Sequence, residues 1–384
     1  MSTIIRTRSP FFIRTPEETS VDLSYFQIQI AILSGNYAAT LPECGRTFTE
    51  TITLNKKPIN SEDSVTVDIS QIVNNYFQQN YQQQALSQPY RRIQSLWVTV
   101  TTKPYKADGT AITTGTSIIY LAQEGYNKFS EGVNYTIEPN AMLTANYIQY
   151  NNGSAIEIPV NVEAVSSVDF KSGNTTISTQ SVSDTTSTFT KILYVDLTTS
   201  SNITSIVITY SGSNTRTIIV ERVDECKYPV FTCKFLNRWG AYQSVNFFKK
   251  STESLETQKE NYNRSIFNAA FKYRTRGGDG GVDNPCENFF TYNTYSANEH
   301  SNKTYNTNGT ETLELNTGFV SEQMNETFKE LIVSEYVYLT DSSNNTYPVN
   351  LKDSSLTYKT ALNDKMINYT MSFEKSFKLI NNVR

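Results

Sequence analysis

From Thr19 to Leu33 apolar side chains fall on alternate positions, first Val21, Leu23 and Tyr25, then Ile28, Ile30 and Ile32, with Phe26 out of step between the two runs. A period of two belongs to a strand with one buried face, and the slip at Phe26 predicts a bulge there. Gly35-Asn36 closes this strand, and a second runs through Thr47 to Leu54. The period then changes. After Val65-Thr66-Val67-Asp68, the residues Ile69, Ile72, Val73, Tyr76 and Phe77 recur at i, i+3, i+4, i+7 and i+8. That is one stripe of an amphipathic helix, capped by Asp68 or Ser70 and packed by one face on the sheet. Alternation returns at Leu96–Thr102 and Ser117–Leu121, separated by Lys106-Ala107-Asp108-Gly109, a sequence that suits a hairpin turn. Residues 1–130 are therefore expected to form a β-rich domain with one helix.

A stretch punctuated by Gly and Pro, Gly125 to Pro139, separates this region from one of different character. Residues 144–223 are nearly all Ser, Thr, Asn, Val and Ile, with short strands expected at 155–162, 165–170, 188–197, 203–210 and 215–222. Five or more short strands at regular spacing predict a small sandwich of immunoglobulin-like type. A third region, 224–384, opens near Cys226. Val230–Leu236 and Tyr242–Phe248 read as a hairpin around Asn237-Arg238-Trp239-Gly240, with Phe231, Phe235, Trp239, Phe247 and Phe248 as bulky packing. A loop-rich section follows, and then Val320, Met324, Phe328, Leu331 and Ile332 at helical spacing. Strands are expected at Glu335–Leu339, Tyr347–Leu351, Leu356–Ala361 and Met366–Phe373. The fold class is mainly β with two short helices, several β-sandwiches in separate domains and an immunoglobulin-like one in the middle.

Composition sharpens this picture. Aromatic residues make up 12% of the 384, including 25 Tyr and 20 Phe, while charged residues reach only 18% against roughly 25% in ordinary globular chains. Such a balance favours sheets and surfaces that meet other surfaces. A chain of this length exceeds what one core serves and needs no metal or disulfide to fold. The net charge of −4 argues against tight nucleic-acid binding, which requires a basic face. The N-terminus lacks the apolar run of a signal peptide, and no stretch is apolar for the ~18 residues that span a bilayer. Synthesis and solubility in a cytoplasm are expected, without membrane insertion. Cys44, Cys226, Cys233 and Cys286 show no C-x-x-C spacing and are expected as free buried thiols, although Cys226 and Cys233 are near enough to face each other across a strand pair. Sequons such as Asn134-Tyr135-Thr136 arise by chance in a chain so rich in Asn, Thr and Ser.

Catalytic chemistry has little to stand on. The single histidine, His300, lies in the polar stretch Asn298–Asn302 and reads as a solvated loop residue, since no G-x-S-x-G element accompanies it. Gly277-Gly278-Asp279-Gly280-Gly281-Val282-Asp283 resembles a calcium-binding glycine-aspartate repeat but occurs once and one residue out of register, so it reads as a surface loop. Paired carboxylates for glycoside hydrolysis leave no spacing rule in a sequence, and only Trp97 and Trp239 offer indole faces to sugars. Phosphate-binding glycine motifs are absent. A non-enzyme with no cofactor and no metal is expected. Arg6, Arg8 and Arg14 flank Ser9-Pro10-Phe11-Phe12-Ile13, an arm that mixes fixed charge with large apolar area and is expected to dock into a neighbour. Tyr90-Arg91-Arg92 has the same character. The interface candidates are Arg8, Phe11, Phe12, Arg91, Arg92 and Trp239.

Three stretches carry a resemblance: Arg8–Ile13, Val65–Tyr76 and Phe235–Ala241, joined by the run from Leu315 through Ser334 to Thr370. Together they resemble structural tail proteins of phages that infect Bacteroides and relatives, and most specifically the ring-forming tail proteins of crAss-like phages. The likeness covers the first and third regions and skips the Ser/Thr-rich middle, which looks like a variable inserted sandwich. It implies a virion protein, assembled in the host cytoplasm and stacked as a homo-oligomeric ring in the tail or neck, with other tail, neck or portal proteins as neighbours. DNA would pass through the lumen transiently, without specific binding. The resemblance brings no catalytic residue. The rival expectation is a receptor-binding or baseplate protein whose middle sandwich contacts host surface glycan.

Overall fold

The computed structural model describes residues 3–34, 48–59, 64–77, 95–134, 143–182, 192–210, 213–264, 298–353, 355, 357 and 367–380. The chain divides into two compact units, the first comprising Met1–Thr252 with Leu313–Ser376 and the second Glu253–Thr312 with Phe377–Arg384. The first unit contains three large hydrophobic cores.

The N-terminal core is built on β1 (Thr3–Arg6), β2 (Phe12–Arg14), β3 (Tyr25–Ser34), β4 (Phe48–Lys56), β5 (Thr66–Asp68), helix α1 (Ser70–Asn74), β6 (Ser95–Tyr105) and β7 (Thr116–Gln123). Its sheet has the order β1-β7-β6-β3-β4, with β1 parallel to β7 and the remaining pairs antiparallel. Phe26, Ile28, Ile30 and Ile32 of β3 are all buried on one face. The expected bulge at Phe26 is absent. Phe26 is in step with the isoleucines and pairs in unbroken register with Lys56 and Pro104. The strand instead begins at Tyr25, after a turn in which Leu23 N–H donates to Ser20 O, and Val21 before it is fully exposed. Ile69, Val73 and Phe77 bury the helical stripe against this sheet. The N-cap position falls on Ile69, not on the expected Asp68 or Ser70, and the Asp68 carboxylate one residue earlier accepts from Ser70 N at 2.9 Å. The turn at 106–109 forms as expected, with Gly109 N–H donating to Lys106 O.

The middle core is a sandwich of β8 (Tyr147–Asn151), β9 (Ala155–Asn161), β10 (Val165–Ser172), β11 (Thr175–Ser181), β12 (Ile192–Thr198), β13 (Ser205–Tyr210) and β14 (Asn214–Val223). One sheet has the order β11-β10-β13-β14-β8 and the other pairs β12 with β9. The connectivity is immunoglobulin-like: strands two and five form one layer, strands four, three, six and seven the other, and the first strand runs parallel to the last. Val168, Phe170, Ile206, Ile208, Ile218 and Ile158 fill the space between layers. Each such side chain is worth roughly 1.5–3 kcal/mol when fully buried.

The third core lies on β15 (Phe231–Leu236), β16 (Tyr242–Phe247), helix α2 (Asn325–Ile332), β19 (Val337–Thr340), β20 (Thr346–Leu351) and β21 (Thr370–Lys375). Between β16 and α2 run β17 (Thr252–Asn263) and β18 (Asn302–Asn316), giving a sheet of order β16-β15-β19-β20-β21-β18-β17. Phe328 and Leu331 of α2 pack among Phe235, Phe247, Leu339 and Phe373. The section expected to be loop-rich thus begins and ends in two long strands; β17 lacks alternation because every residue of it is exposed, while β18 alternates only at its end, where Leu313 and Leu315 are buried around exposed Glu314. The glycine-rich segment 274–283 and the expected strand 356–361 lie outside the described residues, apart from Thr357. Among the described residues no helix is long and apolar enough to cross a membrane.

Replacing Phe170, which is wholly buried in the sandwich, by Ala should cost about 3–5 kcal/mol in urea unfolding.

Candidate functional site: a buried arginine junction

The N-terminal arm docks within its own chain. Thr7 N–H donates to Gln123 O at 3.1 Å and Arg8 N–H to Gly125 O at 3.0 Å, extending the pairing of β1 with β7 past the strand end. Phe11 is buried against Tyr120 in an edge-to-face contact, with ring centroids 5.5 Å apart. Its N–H donates to Asp68 Oδ1 at 3.1 Å, so one carboxylate holds both the arm and the start of α1. Arg8 bonds Glu335 at 2.9 Å and lies over the Tyr126 ring, 5.5 Å from its centroid. The expected docking into a neighbour is thus replaced, for Arg8 and Phe11, by docking on the chain's own sheet and on the segment after α2. Phe12 remains 39% exposed, with its backbone held on both sides by the Asn134 side chain. Arg91 and Arg92 lie outside the described residues.

Trp239 sits in the turn between β15 and β16, and that turn is organised by Asn237. The buried Asn237 Oδ1 accepts from Trp239 N and Ala241 N at 3.0 and 3.1 Å, while its Nδ2 donates to Leu143 O at 2.7 Å. Gly240 closes the turn at φ +80°, and a Cβ there would meet the Glu124 backbone at 2.9 Å. The close approach is mutual. Gly125 faces the same turn, and a Cβ on it would stand 2.3 Å from Arg238 O. Two glycines therefore let the end of β7 and this turn meet backbone to backbone, sealed by Tyr126 N–H donating to Arg238 O at 2.8 Å.

Two arginines enter this junction. Arg6 is buried and donates to Gln123 Oε1 and, at 2.5 Å, to Trp239 O. Both acceptors are neutral, so burial, aided by the nearby Arg238 cation, pushes the Arg6 guanidinium down to about 9. It stays charged at neutral pH. Arg238 has an ionic partner: Nη2 donates to both oxygens of Glu131, at 2.7 and 2.8 Å, and its guanidinium lies near the Trp239 ring, 5.6 Å from the centroid. Glu131 also accepts from Lys128 N at 2.6 Å. Burial opposes its ionisation, but the bonds from Arg238 and Lys128 prevail and hold the carboxyl below its ordinary range.

Glu330 of α2 completes the cluster, its Oε2 accepting from Arg238 N at 3.4 Å. Burial pushes this carboxyl up, to about 7, against the pull of Arg238. The junction is a clamp between the first and third cores. Sequence reasoning marked Arg8 and Trp239 but missed Arg6, Glu131, Arg238 and Glu330 as a set, because Arg238 and Glu131 stand 107 positions apart.

The remaining candidates are dispersed. His300 is exposed beside Glu299, which pairs with Arg264 at 2.8 Å. Cys233 is a free thiol buried in the third core, where burial pushes it far up and leaves it inert. Cys226 is also free but exposed, correcting its expected burial, because it lies in the link ahead of β15 rather than on the strand. Cys44 and Cys286 lie outside the described residues. Among the described residues no group of three or more His, Cys, Asp or Glu is placed to hold a metal ion.

Glu131→Gln should leave the Arg238 cation uncompensated and cost about 3–5 kcal/mol, whereas pairing Arg238→Met with Glu131→Leu should recover most of that loss in a double-mutant cycle. Glu330 gives a signed pH effect. Its folded pKa lies above the ordinary 4.5, so the folded state binds the proton more tightly, and stability falls as pH rises from about 4.5 through 7. Glu330→Gln should flatten that slope, removing a loss of about 3 kcal/mol when melting is followed from pH 5 to 8.

No protein-family model matches the chain, and no curated protein does.

Proposed function

We propose that this chain is a structural subunit of a bacteriophage tail or neck, assembling with copies of itself into a ring that connects neighbouring tail, neck or portal proteins and conducts DNA. The observation that carries the reading is the second unit. Among its described residues it buries no hydrophobic side chain, yet it exposes Leu255, Tyr262, Tyr305, Phe377, Leu379 and Ile380. Leu255 and Leu379 cluster, both reaching within 3.3 Å of where a Cβ on Gly309 would stand. Apolar side chains left open on paired strands are stabilised by a surface that covers them. A neighbouring subunit supplies such a surface in a ring, where each copy presents two different faces.

The first unit suits the same role. Its cores are tied by buried, directional bonds, so a load applied to one is passed to the next rather than absorbed by a hinge. The net charge of −4 suits a lumen through which DNA slides, since a basic lining would bind phosphates and slow passage. The work is mechanical, with no catalytic step.

Native mass spectrometry and electron microscopy of the full chain should find a closed oligomer. Leu255→Ser with Leu379→Ser should weaken assembly by tenfold or more while the melting of the first unit stays unchanged. A monomer at high concentration, or assembly indifferent to these changes, overturns the reading.

A further inference from the structure

A cleft of about 710 Å³ opens between the middle sandwich and the third core, within the first unit. That volume lies inside the ~300–1,000 Å³ typical of small-molecule sites, which concentrate at such boundaries. The sandwich contributes Gln149, Asn151, Ser154 and Glu157; the facing sheet contributes Thr232, Lys234, Ser244 and Asn246. Tyr228-Pro229 and the turn Thr340–Asn344 form further parts of the lining. The two sides are bonded together, since Asn246 Nδ2 donates to Gln149 O at 3.1 Å and Lys234 pairs with Glu157 at 2.7 Å. The cleft is therefore a fixed shape.

The charged groups in its lining are already engaged, in two ion pairs and by hydrogen bonds. Lys234 is neutralised by Glu157, and Glu225 by Lys249 at 3.0 Å. Asp341 accepts from Ser343 N and Asn345 N at 2.9 and 2.8 Å and from the Asn345 side chain at 3.1 Å. An ionic ligand would have to break one of these pairs. What the lining offers is hydroxyl groups from Ser244, Ser154 and Ser342, amide groups, and aromatic rings at Tyr150 and Tyr228, the latter beside Lys227 with its Nζ 5.0 Å from the ring centroid. Hydroxyls and amides around an aromatic face match a ligand with many neutral hydroxyl groups on its edge and an apolar C–H face.

We infer that this cleft binds a short neutral oligosaccharide, with Tyr228 stacking on a sugar face and the Ser154, Ser244, Ser342 and Asn151 side chains meeting its hydroxyls. The inference is independent of ring assembly, and the two are tested separately. The probes are neutral homo-oligosaccharides of glucose, galactose, mannose and N-acetylglucosamine, with sialylated and sulfated oligosaccharides alongside, titrated against the full chain by calorimetry and saturation-transfer NMR. At least one neutral probe should bind saturably, with the acidic ones no tighter. Tyr228→Ala should weaken it about tenfold. Ser154→Trp, which fills the cleft from the sandwich side, should abolish it, with the thermal melt reporting that both variants remain folded. Failure of every neutral probe to saturate at millimolar concentration overturns the inference. So does preference for the acidic probes, or binding that both variants leave intact.

Discussion

The structure depends on keeping guanidinium groups charged while taking them out of water. Arg6 and Arg238 are drawn into the junction between the first and third cores, where a buried cation costs less the better its charge and donors are answered. Arg238 Nη2 meets both oxygens of Glu131 and Arg6 Nη1 meets a side-chain amide and a backbone carbonyl, while Arg6 Nη2 and Arg238 Nε are buried without a hydrogen-bond partner. These contacts are directional, so they fix the register of one core on the other in a way that apolar packing alone would not. Gly125 and Gly240 are the steric condition for the junction, because a side chain at either would hold the two backbones apart. Glu330 then couples the same junction to helix α2.

Where burial had a period, it could be read from the chain. Ile28, Ile30 and Ile32 announce β3, and Val73 and Phe77 announce the helical stripe, because each alternates or recurs with the geometry of its element. The sandwich strands expected between 155 and 222 were legible for the same reason. Two strands of that sandwich were not. Tyr147–Tyr150 in β8 is buried on both faces, which erases the period, and β11 is almost wholly exposed Ser and Thr, so nothing alternates. The strand β17 failed in the extreme form of the second way. Glu253-Ser-Leu-Glu-Thr-Gln-Lys-Glu forms a strand through pairing, with no burial to leave a trace in composition. The slip at Phe26 was misread because Val21 and Leu23 mimic the period of a strand that starts only after them.

Composition pointed to exposed apolar surface without giving its place. Abundant Tyr and Phe with few charges pointed to surfaces that meet, and exposed Phe12, Phe129 and Phe319 show that large apolar groups do remain in water. The particular residues expected at an interface were not all free for one, since Phe11 and Arg8 are consumed internally. An arm rich in Arg and Phe is equally suited to joining two parts of one chain and to joining two chains, and only the fold distinguishes them. Contacts such as Arg238 with Glu131 need side chains more than a hundred positions apart to converge, which no local pattern encodes.

The parallel pairing of β8 with β14 brings the sandwich's entry and exit strands side by side, with Asn151 opposite Val223. Because the two strands run parallel, the chain enters at Tyr147, opposite Ile219, and leaves at Val223 at the other end of the pair, so a replacement module would have to span that same length between the elements on either side. One phenol adds a second condition. Tyr194 of the sandwich accepts a hydrogen bond from Tyr242 N at 2.8 Å and packs with Ile192 against Leu236 and Ala241. Any replacement module must present an acceptor at that point, so diversification is channelled to the surfaces facing away from it.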